Sequence, residues 1–100
     1  MYENNKEIYA KMMERLIQHF RKRTDVQNID IMNLAGFCRN CLSKWYMEAS
    51  KEINIDISYD KARELIYGMP YTEWKLKFQT EASTEKLEIR KNQEKQDKLI

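Results

Sequence analysis

The stretch Asp30-Ile31-Met32-Asn33-Leu34-Ala35-Gly36-Phe37-Cys38-Arg39-Asn40-Cys41-Leu42-Ser43-Lys44-Trp45 decides how the fold is read. Ile31, Leu34, Ala35, Cys38, Cys41, Leu42, Trp45 and, further on, Ala49 recur at helical spacing, as one stripe of an amphipathic helix would. The spacing predicts a helix from an Asp30 N-cap to about Glu52, with Leu34, Cys38 and Trp45 turned inward together and Cys41 alongside. Gly36 is the weak point, because a glycine inside a helix costs roughly 1 kcal/mol against alanine. A helix that begins only at Phe37 is the competing reading, and it would bring Cys38 to a helix N-terminus, where the dipole favours thiolate.

On the N-terminal side, Ile8, Tyr9, Met12, Met13, Leu16, Ile17 and Phe20 form a second wide stripe, expected to be buried, between Glu3 and about Arg23, a helix whose last residues Arg21, Lys22 and Arg23 suit the negative end of its dipole. On the C-terminal side, Ile53, Ile55 and Ile57 alternate with Asn54 and Asp56, but a lone short strand has nothing to pair with. We read it as an extended linker whose isoleucines seal the core. Ser58 then caps a short helix to Tyr67 that turns Ala62, Leu65, Ile66 and Met69 inward, and Gly68 ends it. Pro70 opens another helix, to about Gln79, in which Tyr71, Trp74 and Phe78 share a face. From Ser83 onward the chain is mostly charged or amide residues, with Leu87, Ile89, Leu99 and Ile100 its apolar members, so a helix there has little to bury and should fray.

The expected fold is therefore all-α: a small bundle of four to five helices, two longer N-terminal ones followed by shorter ones. We expect a single domain over residues 1–83, a charged tail over 84–100, and a core built on Met12, Leu16, Phe20, Leu34, Trp45, Leu65, Ile66 and Trp74.

Composition agrees. One hundred residues make one ordinary domain, and 42% apolar with 34% charged residues suit a small core under a well-solvated surface. Two Gly and one Pro are too few for the turns of an all-β chain. A net charge of +2 excludes bulk attraction to nucleic acid or an anionic membrane. The opening MYENNKEIYAKMM lacks the apolar run of a signal peptide and no stretch is apolar enough to span a bilayer, so we expect a soluble, cytoplasmic protein without a membrane partner. In that compartment two cysteines are thiols, metal ligands or redox groups rather than a disulfide.

The run Asn33-Leu34-Ala35-Gly36-Phe37-Cys38-Arg39-Asn40-Cys41-Leu42-Ser43-Lys44-Trp45-Tyr46 resembles the signature of the short bacterial proteins grouped as domain of unknown function 1244. Arg23-Thr24-Asp25-Val26-Gln27-Asn28-Ile29-Asp30 before it, and Tyr67-Gly68-Met69-Pro70-Tyr71 with Trp74-Lys75 after it, extend the resemblance over roughly residues 10–83. It implies a helical bacterial protein of about this length and transfers no catalytic residue.

Cys38 and Cys41, at i and i+3, could share a metal or form a dithiol couple. Zinc or an iron–sulfur cluster needs more ligands than this pair, and His19 is the one histidine. The plainer reading makes both thiols apolar filler on the stripe. A polar set, Asn28, Asp30, Asn33, Arg39, Asn40 and Lys44, with Gln27 before it, could bind a small anion or another chain, or could cap helices and close turns. Lys11, Arg15 and the Arg21-Lys22-Arg23 cluster could touch phosphate, but Asp25 and Asp30 interrupt the positive charge, which argues against nucleic acid.

The sequence offers no phosphate-binding glycine loop and no set of catalytic partners that one histidine completes. We therefore expect a non-enzymatic binding or interaction protein with no cofactor, forming a homodimer or engaging another protein. The alternative is thiol redox or metal-dependent activity at Cys38 and Cys41.

Overall fold

The computed structural model describes residues 3–99, with side chains through residue 95. Gly36 takes a left-handed backbone, φ +78°, and closes α2 (Asn28–Ala35) by donating its amide to Met32 O at 2.9 Å. The chain then turns and starts α3 (Arg39–Glu52) with Cys38 as its N-cap residue. The single helix expected from Asp30 to Glu52 is thus two helices, because a left-handed residue cannot continue a right-handed helix and glycine reaches that region without a Cβ penalty. Asp30 is also displaced from the cap. Gln27 holds the N-cap position of α2, and the Asp30 carboxylate, at the third helical position, accepts the Gln27 amide at 3.4 Å as half of a capping box.

Around this corner lie α1 (Asn5–Lys22), α4 (Tyr59–Tyr67), α5 (Tyr71–Phe78) and α6 (Thr84–Leu99), an all-helical bundle with no strand among the described residues. The split at Gly36 makes six helices where four or five were expected. α4 is central: α1, α3 and α5 all pack on it, while α6 packs on α2. Its ends follow the sequence closely. Ser58 caps it by accepting the Lys61 amide at 3.2 Å, and left-handed Gly68, φ +78°, stops it. None of the helices among the described residues is long and apolar enough to cross a membrane.

Ile31, Cys38, Leu42, Ala62, Ile66, Tyr67 and Trp74 form the buried centre. Tyr67 and Trp74 meet edge to face at 5.1 Å, and Trp74 meets Phe78 at 5.8 Å. Of the expected core, Ile66 and Trp74 are buried and Leu16 and Phe20 half-buried, whereas Met12, Leu34, Trp45 and Leu65 are exposed. The break at Gly36 explains two of these. It separates Leu34, 90% exposed, from the face it would have shared with Cys38. On α3 the inward side carries Arg39, Leu42, Ser43 and Ser50, leaving Trp45 52% exposed with its ring stacked on Phe37 at 5.7 Å.

The linker opens as a turn rather than the extended segment expected, and it does not seal the core. Ser50 O accepts the amides of Ile53 and Ile55, a tight curl with Asn54 at φ +62° that leaves both isoleucines on the surface. In α6, Lys86 is tied to α2 by its ammonium to the Asp30 carboxylate at 2.9 Å and by its carbonyl, which accepts from Asn33 Nδ2 at 3.1 Å. Leu87 and Ile89 stay exposed. Ile100 and the Leu99 side chain, counted among the apolar residues of the tail, lie outside the described residues and side chains.

Urea denaturation separates the two tryptophans: Trp74→Ala should cost roughly 3–5 kcal/mol, and Trp45→Ala about 1 kcal/mol or less. The two glycines should also differ. Gly36→Ala meets open space and should cost on the order of 1 kcal/mol for its backbone alone. Gly68→Ala should cost more, because its Cβ would lie 2.9 Å from Arg21 Cδ, in a side chain held by Leu65 O.

Candidate functional site

α3 begins with a fully buried arginine. One Arg39 guanidinium nitrogen donates to Val26 O at 2.8 Å and Asn28 Oδ1 at 3.0 Å; the other donates to Arg23 O at 2.7 Å and Phe20 O at 3.3 Å. The cation lies 5.0 Å from the Trp74 ring centroid and 5.5 Å from that of Phe20. Phe20 and Arg23 are at the C-terminal end of α1, where carbonyls lack helical partners and carry the negative end of the dipole. A buried positive charge is tolerated here because several oxygens and two π faces replace its water. Burial still pulls the Arg39 pKa below the usual arginine value, without bringing deprotonation near neutral pH.

Asn28 continues the network. Its Nδ2 donates to the Tyr67 hydroxyl at 2.9 Å, and that hydroxyl donates to Asn40 Oδ1 at 2.7 Å. Burial pushes the Tyr67 phenol far above its ordinary range, with the hydrogen bond from Asn28 working the other way. Asn28 and Asn40 open onto a cleft of about 330 Å³ bordered also by Gln27, Tyr71, Gln79 and Glu81. Gln27 itself is a clamp: its Nε2 donates to Phe78 O at 2.8 Å, and its Oε1 accepts the Thr80 amide at 3.0 Å.

The six polar residues singled out in the sequence therefore lie in three places. Asn28 and Asn40 face the cleft with Arg39 behind them, Asp30 and Asn33 hold α6, and Lys44 lies over the Tyr59 ring at 6.0 Å. Sequence reasoning missed Arg63. Its guanidinium lies between the rings of Tyr59 at 4.5 Å and Tyr71 at 4.1 Å and donates to Asp60 at 2.8 Å. The i, i+4 spacing of Tyr59 and Arg63 on one helix was the available signal.

Cys38 sits at the α3 N-terminus, the position that would activate it, but it is buried. Burial pushes its thiol pKa up, outweighing the backbone amides of Cys41 and Asn40 that pull it down. Cys41 is half-buried and donates to the Met32 sulfur at 3.7 Å. Among the described residues no group of three His, Cys, Asp or Glu side chains could hold a metal ion. His19 lies on α1 beside Lys11, Glu14, Arg15, Gln18 and Lys22. In the basic cluster, Arg21 donates to Leu65 O and Arg23 pairs with Asp25 at 2.9 Å.

One feature is not absorbed by internal contacts. α1 buries none of its residues fully, and its apolar side exposes Ile8 at 49%, Tyr9 at 52% and Met12 at 59%. Along the same i, i+4 row, half-buried Leu16 and Phe20 carry it inward, and Phe20 meets Phe37 at 6.2 Å, which stacks on exposed Trp45. The result is an apolar strip that runs from the N-terminal half of α1 to α3.

No curated protein matches the chain. A family model described as protein of unknown function (DUF1244) matches residues 26–92, which includes the α2–α3 corner, Arg39 with its partners Val26, Asn28 and Trp74, and the first half of α6, but not Phe20 and Arg23.

Arg39→Lys should destabilise the protein nearly as much as Arg39→Ala, by roughly 3 kcal/mol or more in urea, since one ammonium cannot reach the separated oxygens. Cys38 should react slowly with a thiol reagent in the native state and fast after denaturation. Its raised folded pKa gives a stability contribution present below the ordinary thiol range, roughly pH 8.5, and lost as pH rises through the folded value; Tyr67 acts in the same direction above roughly pH 10. Thermal melts should therefore fall on the alkaline side, and less steeply in Cys38→Ala.

Proposed function

We propose that this chain, which belongs to the DUF1244 family of proteins of unknown function, is a non-enzymatic interaction protein that docks through the apolar strip of α1, Phe37 and Trp45. The observation that carries this reading is the exposure of Ile8, Tyr9 and Met12 on a helix with no fully buried residue. A contiguous apolar surface of this kind marks an association site on a small protein. Aromatic and methionine side chains are also the types enriched at interface centres, and methionine adapts to the surface it meets.

The polar features support the same conclusion by being occupied elsewhere. Arg39, Asn28 and Gln27 make their hydrogen bonds within the chain and hold helix ends and loops. The thiol reading ranks second. Its favouring observation is Cys38 at the start of α3, and against it stands the burial that raises the thiol pKa.

A photo-reactive amino acid placed at Met12 or Trp45 in the producing cell tests the docking surface. Adducts should form from both positions and not from Leu76, which is equally apolar, 89% exposed and on α5. Absence of adducts from positions 12 and 45 would overturn the reading.

A further inference from the structure

Six of the seven apolar positions of the α1 stripe read the same in both directions: Ile8, Tyr9, Met12, Met13, Leu16 and Ile17 are symmetric about the point between Met12 and Met13, while Phe20 falls opposite Asn5. An antiparallel copy of the same helix in that register sets Ile8 across from Ile17, Tyr9 across from Leu16 and Met12 across from Met13. The charges agree with the register: Lys11 falls across from Glu14, Lys22 from Glu3, and Arg15 from Ala10, so no two like charges are directly opposed. This is the self-complementarity that a two-fold interface requires, with residue i meeting j and j meeting i.

The chain's size points the same way. It exposes 7960 Å², whereas a compact monomer of 12.2 kDa exposes about 6,100 Å². The excess of about 1,900 Å² is ample for a homodimer that hides about 800 Å² or more on each partner. The radius of gyration, 15.4 Å, likewise exceeds the roughly 13 Å of a compact chain of this length.

We infer that the partner covering the α1 face is a second copy of this chain, bound antiparallel along α1 in a two-fold dimer. The inference rests on the docking role proposed above and names its occupant. Each chain contributes a helix of 18 residues, about 27 Å long, with the methionines at the centre of the contact. The Lys11 and Glu14 side chains flank the axis from opposite chains. Trp45, joined to α1 through Phe37 and Phe20, extends the buried patch at both ends of the pair.

Sedimentation equilibrium of the full chain, from micromolar concentration upward, reads this directly. The wild type should sediment at twice the 12.2 kDa chain mass. Met12→Glu should weaken the dimer roughly 30-fold or more while keeping its helical circular dichroism, and its urea midpoint should match that of the wild type once both are diluted to monomer, since the position is exposed within one chain. Leu76→Glu on α5 should leave the dimer unchanged. A dimer that survives Met12→Glu, or a wild type that stays monomeric, overturns the inference. Binding of the apolar dye anilinonaphthalene sulfonate then separates the two levels. A monomer that binds the dye and loses it on Met12→Glu leaves the face open to a different protein, so the docking role stands without the second copy. A monomer that binds none removes both.

Discussion

A guanidinium taken out of water must be given oxygens in its place, and the chain supplies Arg39 with oxygens from one continuous region, the end of α1 and the loop into α2. Two of them, the carbonyls of Phe20 and Arg23, are at the C-terminal end of α1, where a helix lacks intrahelical donors, so one residue satisfies two needs: the helix end gains donors and the cation gains a negative dipole. Trp74 and Phe20 close over the group from both sides. The start of α3 is thereby fixed against the end of α1. Through Asn28 and Tyr67 the same bonds reach α2 and α4, so the mutual placement of four helices depends on one side chain.

That dependence explains why the polar residues and the cysteines look more chemical in the sequence than in the fold. Asn28, Asn40 and Tyr67 are ordered by each other, Gln27 by the end of α5, and Cys38 by the interior in which it is buried. A helix N-terminus lowers a thiol pKa and an apolar interior raises it; at Cys38 burial is the larger effect. The apolar residues left on α1 and at Trp45 have no such internal role.

Much of the fold was legible. The extent of α1, the Ser58 cap, the Gly68 stop and the helix after Pro70 all follow from local rules that act within a few residues, whereas the burial expected of the α1 stripe does not hold. The α2–α3 corner was not, because Gly36 in a helical pattern can be either a tolerated interruption or a terminus, and the choice rests on what the following turn packs against. Once the corner is misread, Leu34 and Trp45 are assigned to a common inner face that does not exist, and Arg39 is assigned to the surface as a charged residue ordinarily is. The partners of Arg39 lie 11 to 19 residues away along the chain, beyond the reach of periodicity. The candidate surface was legible only as the α1 stripe, because periodicity marks an apolar face without saying what covers it.

The Gln27 clamp depends on the packing it closes over. It joins residues separated by 51 and 53 positions, the same span as the bond from Asn33 to Lys86, whereas the Arg39 hydrogen bonds span 19 at most. Closing a flexible loop of about 50 residues costs roughly 3.5 kcal/mol in chain entropy, more than the clamp's two hydrogen bonds return at about 1 kcal/mol each. The clamp alone therefore cannot hold its loop closed; it stands because the helices between its ends are packed, so loosening α5 on α4 releases it as well.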